Sequence, residues 1–457
     1  MSPSLPASAY KALGIPQSTV KILTTPKPEE PSIVAPNLLN AKSPEERLAP
    51  NESSITLYAE FLLHIRTVTL FASLRTVHTC ETKAKLNTDG SSVTVTHEGE
   101  SATIHLPISV QGGGDAALSL PAQPPSKELT LRLQIEEKEG SGLLGTVLSE
   151  ERKANIVPWD GATLNNMSDA GVHCKSCERI LVASGQIKEW IDLPNENWAE
   201  MMDFWHCHKP DEHHLHDHTH EGVVGRKGYA AGNRLEATQE VGFVDLASFL
   251  LKEQDCEGVR LASENESPPT ILGCKHCSHV VGTPDEPSEG WRIWKWCIGV
   301  QNRSYSIQKW ISARLLFLVE NQVIRKFHVH PSPSVSDTNP VPSLLIWVFT
   351  PDLFVSSSIP SEGGRQDPTR SMKVFYKRQT WAPLKPGEVE TVDVEDVVFP
   401  TGLFEEFVRV LGRSRMVLPE GARRFQGWEV GLLERFDVGD VELSSGVVDG
   451  LRAEEVD

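Results

Sequence analysis

Two pairs of cysteines have the spacing of a metal-binding site. Cys174 with Cys177, and Cys274 with Cys277, each form a Cys-x-x-Cys motif, and together they account for half of the eight cysteines in the chain. Four thiolates are the donor set that a tetrahedral structural zinc ion prefers. The 96 residues between the pairs exceed the ~15–20 residues usual in zinc motifs, so a shared ion would close a long loop. The sequence predicts structural zinc, with ordinary buried cysteines and a redox pair as the alternatives.

A fifth cysteine, Cys207, lies between His206 and His208. The apolar residues that precede it at helical spacing are Trp198, Met202 and Trp205. That spacing is typical of an amphipathic helix, which would by itself indicate packing on the protein's own core. Cys207 would lie at the C-terminal end of this helix, where the helix dipole disfavours a thiolate. The local charges therefore suit a thiol that binds metal better than a nucleophile, because a metal ion deprotonates its ligand. A small buried apolar side chain is the alternative interpretation.

A run of histidines follows, from His213 to His220. Its composition is that of a metal-binding tract. The glycine-rich residues 222–228 next to it indicate a loop. We therefore interpret the run as a solvated loop that takes up metal without requiring it.

The chain divides by composition and pattern into five parts. Nine prolines in residues 1–50 indicate a disordered arm, because such a segment buries too little apolar surface to offset its ordering entropy. Alternating segments such as Leu129–Ile135 are typical of an antiparallel sandwich or barrel. The predicted parts are a Pro-rich arm (1–52), a β-rich domain (53–150), a segment bounded by the cysteine pairs (171–282), an α+β domain (283–436) and an acidic tail (437–457).

The C-terminal part combines helical and strand patterns. Ser306–Val319 carries apolar residues on one helical face, and a second helix is predicted to begin with Thr401 as its cap and to end at Gly412. Trp291–Trp296, with three tryptophans in six residues, reads as a buried strand. The predicted fold class is α+β, with an N-terminal antiparallel β domain and a central zinc-clasped segment.

Bulk properties limit the classes of function. The formal net charge is -18, which argues against a general nucleic-acid-binding surface. Apolar residues make up 39% and charged residues 23%, values typical of a globular protein, and no apolar run approaches the ~18 residues of a membrane span. The first ten residues have no secretory pattern. We therefore expect a cytoplasmic and nuclear location, without direct nucleic-acid or membrane partners.

Four motifs in a fixed order resemble the HECT-like ubiquitin-conjugating-enzyme-binding family. They are HCKSC at 173–177, LPNENW at 193–198, WHCH at 205–208 and GCKHC at 273–277. The resemblance extends from residue 53 to about residue 435 and leaves the N-terminal arm outside it. It implies an E3 ubiquitin-protein ligase that binds a ubiquitin-conjugating enzyme and accepts ubiquitin on a cysteine, which on this sequence matches Cys207.

The resemblance implies a second partner as well. Members of the family resemble partners of the metallo-β-lactamase-type endonuclease of pre-mRNA 3′-end processing, and Cys207 would then be offered to the metal site of that nuclease. The candidate partner-binding residues around it are Trp198, Met202, Trp205, His206 and His208. A true HECT domain has its cysteine near the C-terminus, whereas Cys297 is the last cysteine here. The main hypothesis is therefore a ligase that uses Cys207 or another upstream cysteine, and the alternative is a non-catalytic adaptor or chaperone of the endonuclease.

Overall fold

The structure is a computed structural model that describes most of the chain from residue 54 to residue 444. The described residues are 54–110, 117–118, 125–135, 157–168, 170–193, 235–261, 271–332, 340–360, 367–383 and 393–444. The predicted N-terminal arm, the segment around Cys207 and the histidine run lie outside them. The acidic tail is described only as far as residue 444.

The first part of the described chain forms strands whose buried side chains meet in one core. The strands are β1 (Thr56–Leu62), β2 (Thr67–Ser73), β3 (Lys83–Leu86), β4 (Ser92–His97), β5 (Glu100–His105), β6 (Ala117–Leu118) and β7 (Glu128–Gln134). Strands β5, β4, β3 and β6 form a four-stranded sheet, whereas β1, β2 and β7 belong to a larger one. Alternate residues such as Leu129 and Leu131 point into the shared core, as the alternation in the sequence predicts.

The middle part consists of short strands and one short helix. The elements are α1 (Gly161–Asn166), β8 (Val172–Cys174), β9 (Ile180–Val182), β10 (Glu189–Asp192), β11 (Val241–Val244), β12 (Ser248–Leu251), β13 (Val259–Leu261), β14 (Leu272–Cys274), β15 (Val280–Asp285), β16 (Gly290–Trp294) and β17 (Ile298–Val300). They form a three-stranded sheet, β17-β8-β9, and a seven-stranded sheet, β10-β11-β12-β16-β15-β14-β13.

The last part combines long strands with two longer helices. The elements are α2 (Ile307–Gln322), β18 (Lys326–Pro331), β19 (Val341–Ser357), β20 (Thr369–Trp381), β21 (Glu395–Phe399), α3 (Thr401–Ser414), β22 (Arg424–Phe425), β23 (Trp428–Glu434) and α4 (Val438–Ser444). The large sheet has nine strands in the order β22-β23-β20-β19-β1-β2-β7, and β18 pairs with both β19 and β21. Strand β1 pairs with β19 at Tyr58 and Ser357, so strands from residues 53–150 and from residues 283–436 share one sheet.

Helices α2 and α3 cover one face of this sheet. Residues Ile311, Leu315 and Leu318 of α2 are buried, which confirms the predicted apolar face of that helix. Helix α3 starts at Thr401 but has Pro400 in the cap position, and it continues to Ser414. Thr401 is therefore not the cap.

Two sequence-based predictions of element ends are corrected by the structure. Gly412 does not end α3, because its backbone is not left-handed and the helix continues to Ser414. Strand β16 ends at Trp294, and residues Lys295–Cys297 form a 3₁₀ turn, so the tryptophan-rich segment is a strand only in its first part. Both errors concern where an element ends, and the elements themselves are present.

Strands dominate the described residues, and helices are few. The longer helices lie in the C-terminal part, where the sequence predicts a mixture of helices and strands. The fold is therefore mostly β, a coarser description than the predicted α+β class with its domain layout. None of the described helices has the length and apolar character needed to span a membrane.

Candidate metal centre

The four cysteines of the two motifs converge on one point. Their sulfur atoms all lie within 4.8 Å of one another. The Sγ atoms of Cys174 and Cys277 are 3.7 Å apart, and those of Cys177 and Cys274 are also 3.7 Å apart. Around a tetrahedral ion with metal–sulfur bonds of about 2.3 Å, neighbouring sulfurs lie about 3.8 Å apart. The two cysteine pairs therefore form a single site, although 96 residues separate them in the sequence.

Each pair lies in a tight turn, and the two turns have equivalent hydrogen bonds. In the first turn, between β8 and β9, the N–H of Cys174 donates to the carbonyl of Arg179 and the N–H of Glu178 donates to the carbonyl of Cys174. In the second turn, between β14 and β15, Cys274 makes the corresponding bonds with His279 and Ser278. The residue after the second cysteine is left-handed in both turns, with φ of 60° and 61°. Each turn is thereby closed independently of the other.

A third strand supports each turn from the side of its first cysteine. Strand β17 pairs with β8, and β13 pairs with β14. Beside these pairs, the N–H of Lys175 donates to the carbonyl of Cys297, and the N–H of Lys275 donates to the carbonyl of Gly258. The lysine that follows the first cysteine is thus held by a backbone carbonyl in both turns. These carbonyls fix the direction in which each cysteine pair faces.

Burial differs between the two cysteines of each pair. Cys174 and Cys274 are each 1% exposed, whereas Cys177 and Cys277 are accessible to solvent. Burial raises the pKa of the Cys174 thiol to about 12. A hydrogen bond from the backbone N–H of His279 lowers the pKa of the Cys277 thiol to about 7. The accessible side of the site therefore has a thiol that ionises readily at neutral pH, next to a buried thiol that ionises only when a cation compensates its charge.

The donor set suits a structural metal ion. Four cysteine sulfurs complete a tetrahedral shell and leave no coordination position open for a substrate or a reactive water. The surrounding side chains are apolar, and Val172, Leu181, Leu272 and Val281 are fully buried beside the cysteines. The four cysteines are able to hold a metal ion. An ion in this position would join the two turns and the two sheets that contain them.

The remaining predicted site residues lie outside the described residues. These are Trp198, Met202, Trp205, His206, Cys207 and His208. The ends of the segment that contains them are described, and both are tied to the sheet. Strand β10 leads into the segment and β11 follows it, and the two strands pair in parallel over Glu189–Asp192 and Val241–Val244.

Several residues that shape the site were not identified from the sequence. The carbonyls of Cys297 and Gly258 act through the backbone, which has no residue-type signature. Strands β13 and β17 have three residues each, too few for an alternation to be recognised. The repeated Cys-Lys-x-Cys sequence, with a lysine at position 175 and at position 275, is the signal that would have indicated two equivalent turns.

Comparison with known proteins identifies a family whose sequence pattern matches this chain. Residues 60–430 match the family described as HECT-like ubiquitin-conjugating enzyme (E2)-binding. The match contains both cysteine pairs and nearly all of the described strands. This protein belongs to the HECT-like E2-binding family. Its membership confirms the resemblance that the four sequence motifs indicate.

The chain is also similar to three known proteins. The chain is 24% identical over 287 residues to an uncharacterized protein of Schizosaccharomyces pombe, which covers 61% of this chain and 78% of the relative. It is 24% identical over 277 residues to an uncharacterized protein of Saccharomyces cerevisiae, with 60% and 71% covered. It is 19% identical over 335 residues to a protein of Homo sapiens that is named as an E3 ubiquitin-protein ligase, with 67% and 80% covered. No solved structure matches the chain.

Proposed function

We propose that this protein binds a ubiquitin-conjugating enzyme and promotes the transfer of ubiquitin, and that its four-cysteine centre holds zinc. The match to the E2-binding family over residues 60–430 carries this proposal. The similarity to a protein named as an E3 ubiquitin-protein ligase supports it. Zinc is proposed because four thiolates in a tetrahedral arrangement are its preferred structural site.

The cysteines of the chain limit where a ubiquitin thioester can form. Four of the eight belong to the metal centre. Cys256 and Cys297 are buried, and burial raises the pKa of both thiols, that of Cys297 to about 12. A buried thiol with a raised pKa is a poor nucleophile. The exposed Cys80 and Cys207 remain, and we propose Cys207, which the family resemblance marks as the acceptor.

The proposed transfer exchanges one thioester for another. The Cys207 thiolate attacks the C-terminal carbonyl of ubiquitin on the conjugating enzyme, a new carbon–sulfur bond forms, and the cysteine thiolate of that enzyme leaves. A substrate lysine amine then attacks the Cys207 thioester, so that an isopeptide bond forms and the thiol is released. Activation of the nucleophile by a neighbouring base is the usual requirement for such a step, and His206 and His208 are the adjacent candidates.

The decisive experiment is a thioester assay. A ubiquitin-conjugating enzyme charged with ubiquitin is mixed with the protein, and the expected product is a ubiquitin adduct that a thiol reductant removes. The adduct should be lost in Cys207→Ala and retained in Cys80→Ser. An adduct that persists in Cys207→Ala but disappears in Cys80→Ser would move the acceptor to Cys80.

The same assay tests the alternative function. Two histidines flank Cys207, and this set of side chains suits metal binding as well as acid–base chemistry. The metal-binding property is the basis of the alternative, an adaptor that offers Cys207 to the metal site of the pre-mRNA 3′-end endonuclease. The absence of any adduct, together with a stable complex with the endonuclease that Cys207→Ala weakens, would establish the adaptor and refute the ligase.

A further inference from the structure

Five aromatic side chains form a contiguous cluster on the large sheet. Strands β19, β20, β22 and β23 contribute Trp347, Phe349, Phe375, Phe425 and Trp428, which we call the aromatic face. The rings of Phe349 and Phe375 are stacked with centroids 4.5 Å apart, and Trp347 contacts Phe375 edge-on at 5.5 Å. Phe425 lies 5.4 Å from Phe375, and Trp428 lies 6.2 Å from Trp347. Phe375 is therefore the centre of the cluster.

The aromatic face lies on the side of the sheet opposite to α2 and α3. The intervening residues of β19 and β20, such as Ile346, Val348 and Val374, are buried against those helices. Because side chains alternate along a strand, Trp347 and Phe375, which are paired in register, point away from the helices. The two faces of this part of the sheet therefore differ: one is covered by α2 and α3, and the other carries the aromatic rings, against which Leu418 and Val417 of the segment after α3 also pack.

The rim of the aromatic face is exposed to solvent. Phe349 is 42% and Phe425 is 43% exposed, whereas the central Phe375 is 4% exposed. Single exposed apolar residues, such as Val323 at the end of α2, are common and need no explanation. A contiguous group of partly exposed Trp and Phe side chains around a buried ring is different, because Trp and Phe are enriched in protein interfaces and Trp in the residues that dominate binding energy.

Lysines border the aromatic face, although the chain as a whole is acidic. The ammonium of Lys377 lies 4.3 Å from the centre of the Trp428 ring, a cation–π contact. Lys326 is directly opposite Trp347 in the sheet. The net charge of the chain is -18, so most of its surface is acidic. A symmetric dimer built on the aromatic face would nevertheless place the lysines of one copy against those of the other, because the same patch of both copies meets in such a dimer. The charges instead favour a different protein with apolar side chains surrounded by carboxylates.

We propose that the aromatic face is the surface on which the ubiquitin-conjugating enzyme docks. This inference rests on the proposed function, and it assigns the binding of the enzyme to a defined surface. Docking on this face requires a surface on the enzyme that is apolar with an acidic margin, because the bordering lysines attract carboxylates. The rival surface is the exposed pair Ile180 and Val280 at the tips of the two cysteine turns, which is aliphatic and lacks an aromatic centre.

The test measures binding of the full-length protein to a panel of purified ubiquitin-conjugating enzymes by biolayer interferometry. Phe349→Ser and Phe425→Ser remove the exposed rings, and Lys377→Glu reverses the bordering charge. Val323→Ser is the matched control, since Val323 is 87% exposed and lies away from the aromatic face, and Ile180→Ser examines the rival surface. Circular dichroism verifies that each variant is folded.

For each enzyme that binds the wild type, we expect the two phenylalanine variants to raise Kd at least about tenfold, because each removes an exposed aromatic ring that the bound enzyme would bury. Lys377→Glu should slow association several-fold at low salt and less at high salt, because salt screens exposed charges. The variants at Val323 and Ile180 should bind as the wild type does.

Three results would overturn the inference. If Phe349→Ser, Phe425→Ser and Lys377→Glu all bind as the wild type does, the aromatic face is not the docking surface and the proposed function stands. Loss of binding in Ile180→Ser alone would move the docking surface to the cysteine turns. If no enzyme of the panel binds the wild type, the proposed function fails together with the inference. Should either phenylalanine variant fail to fold, Lys377→Glu still decides, because it removes no buried apolar surface.

Discussion

Lys295 is a buried lysine, and we expect its replacement by methionine to change how the stability of the protein depends on pH. The side chain is 1% exposed. Its ammonium donates to the carbonyl of Trp159 over 3.2 Å and lies 5.0 Å from the ring of Phe249 and 5.7 Å from that of Trp310. Burial lowers the pKa of Lys295 to about 7, although nearby carboxylates, those of Asp245, Asp192 and Asp160, act in the opposite direction.

The sign of the effect follows from which state binds more protons. Between the pKa of about 7 in the folded state and 10.5 in the unfolded state, the unfolded protein holds the Lys295 proton and the folded protein does not. The free energy of unfolding therefore rises with pH in this range, by up to about 1.4 kcal/mol per pH unit. At pH 7 only half of the folded molecules have lost the Lys295 proton, so the slope is below its maximum there. We therefore calculate that the free energy of unfolding rises by about 2 kcal/mol between pH 7 and pH 9.

Methionine has a similar length and no charge, so Lys295→Met removes this contribution. The lost hydrogen bond to the Trp159 carbonyl costs about 1–3 kcal/mol, but that cost is the same at every pH. The measurement is urea unfolding followed by tryptophan fluorescence, at several pH values from 6 to 9, for both proteins. We expect the wild type to gain about 2 kcal/mol relative to Lys295→Met from pH 7 to pH 9. A constant difference across this range would refute the pKa on which the reasoning depends.

Four further substitutions test other parts of the structure. Cys274→Ser should lose the metal ion proposed for the four-cysteine centre and have a lower melting temperature, whereas Cys80→Ser should keep both unchanged. Mass spectrometry under native conditions measures the metal content, and thermal unfolding measures the melting temperature. Gly258→Ala should destabilise the folded protein by several kcal/mol, since the new Cβ would lie 2.0 Å from a carbonyl oxygen of β9. Gly412→Ala should stabilise the folded protein by about 0.5–1 kcal/mol, because the new Cβ would enter open space beside a helix. Asp352→Ala should cost about 3–5 kcal/mol in urea unfolding, because two buried arginines bind this carboxylate.

The local elements could be predicted from the sequence because local spacing determines them. The alternation of Leu129–Ile135 gives β7, and the helical spacing after Ser306 gives α2. The end of α3 could not be predicted from Gly412, because glycine ends a helix only where the backbone turns left-handed, and here it continues to Ser414. Helix α1 was missed because its six residues are too few to show a period.

Pairing between distant strands could not be predicted. The contact of Tyr58 with Ser357 joins strands about 300 residues apart, and nothing in the local pattern of either strand specifies its partner. The four cysteines share a chemical reason to meet, because four thiolates are the preferred donor set of a structural zinc ion, but the sequence left open whether both pairs bind one ion, and the structure brings them together. For Cys207 the prediction stays a prediction, because that residue lies outside the described part of the chain.

The way in which the segment around Cys207 is anchored follows from strand direction. Strands β10 and β11 are parallel neighbours, so a crossover connection, and not a hairpin turn, joins them. Its start is held at Leu193, whose N–H donates to the carbonyl of Val244, and the carboxylate of Asp192 accepts from the N–H of Gly161 at the start of α1. The first bond joins the end of β10 to β11 and the second joins β10 to α1, and neither involves the cysteines. The sequence suggests that the metal clasps this segment, but its nearest anchor is the parallel strand pair. A metal ion bound by the four cysteines would act one step further away, by holding the β8–β9 turn to the β14–β15 turn, and with it the three-stranded sheet to the seven-stranded sheet that contains β10 and β11.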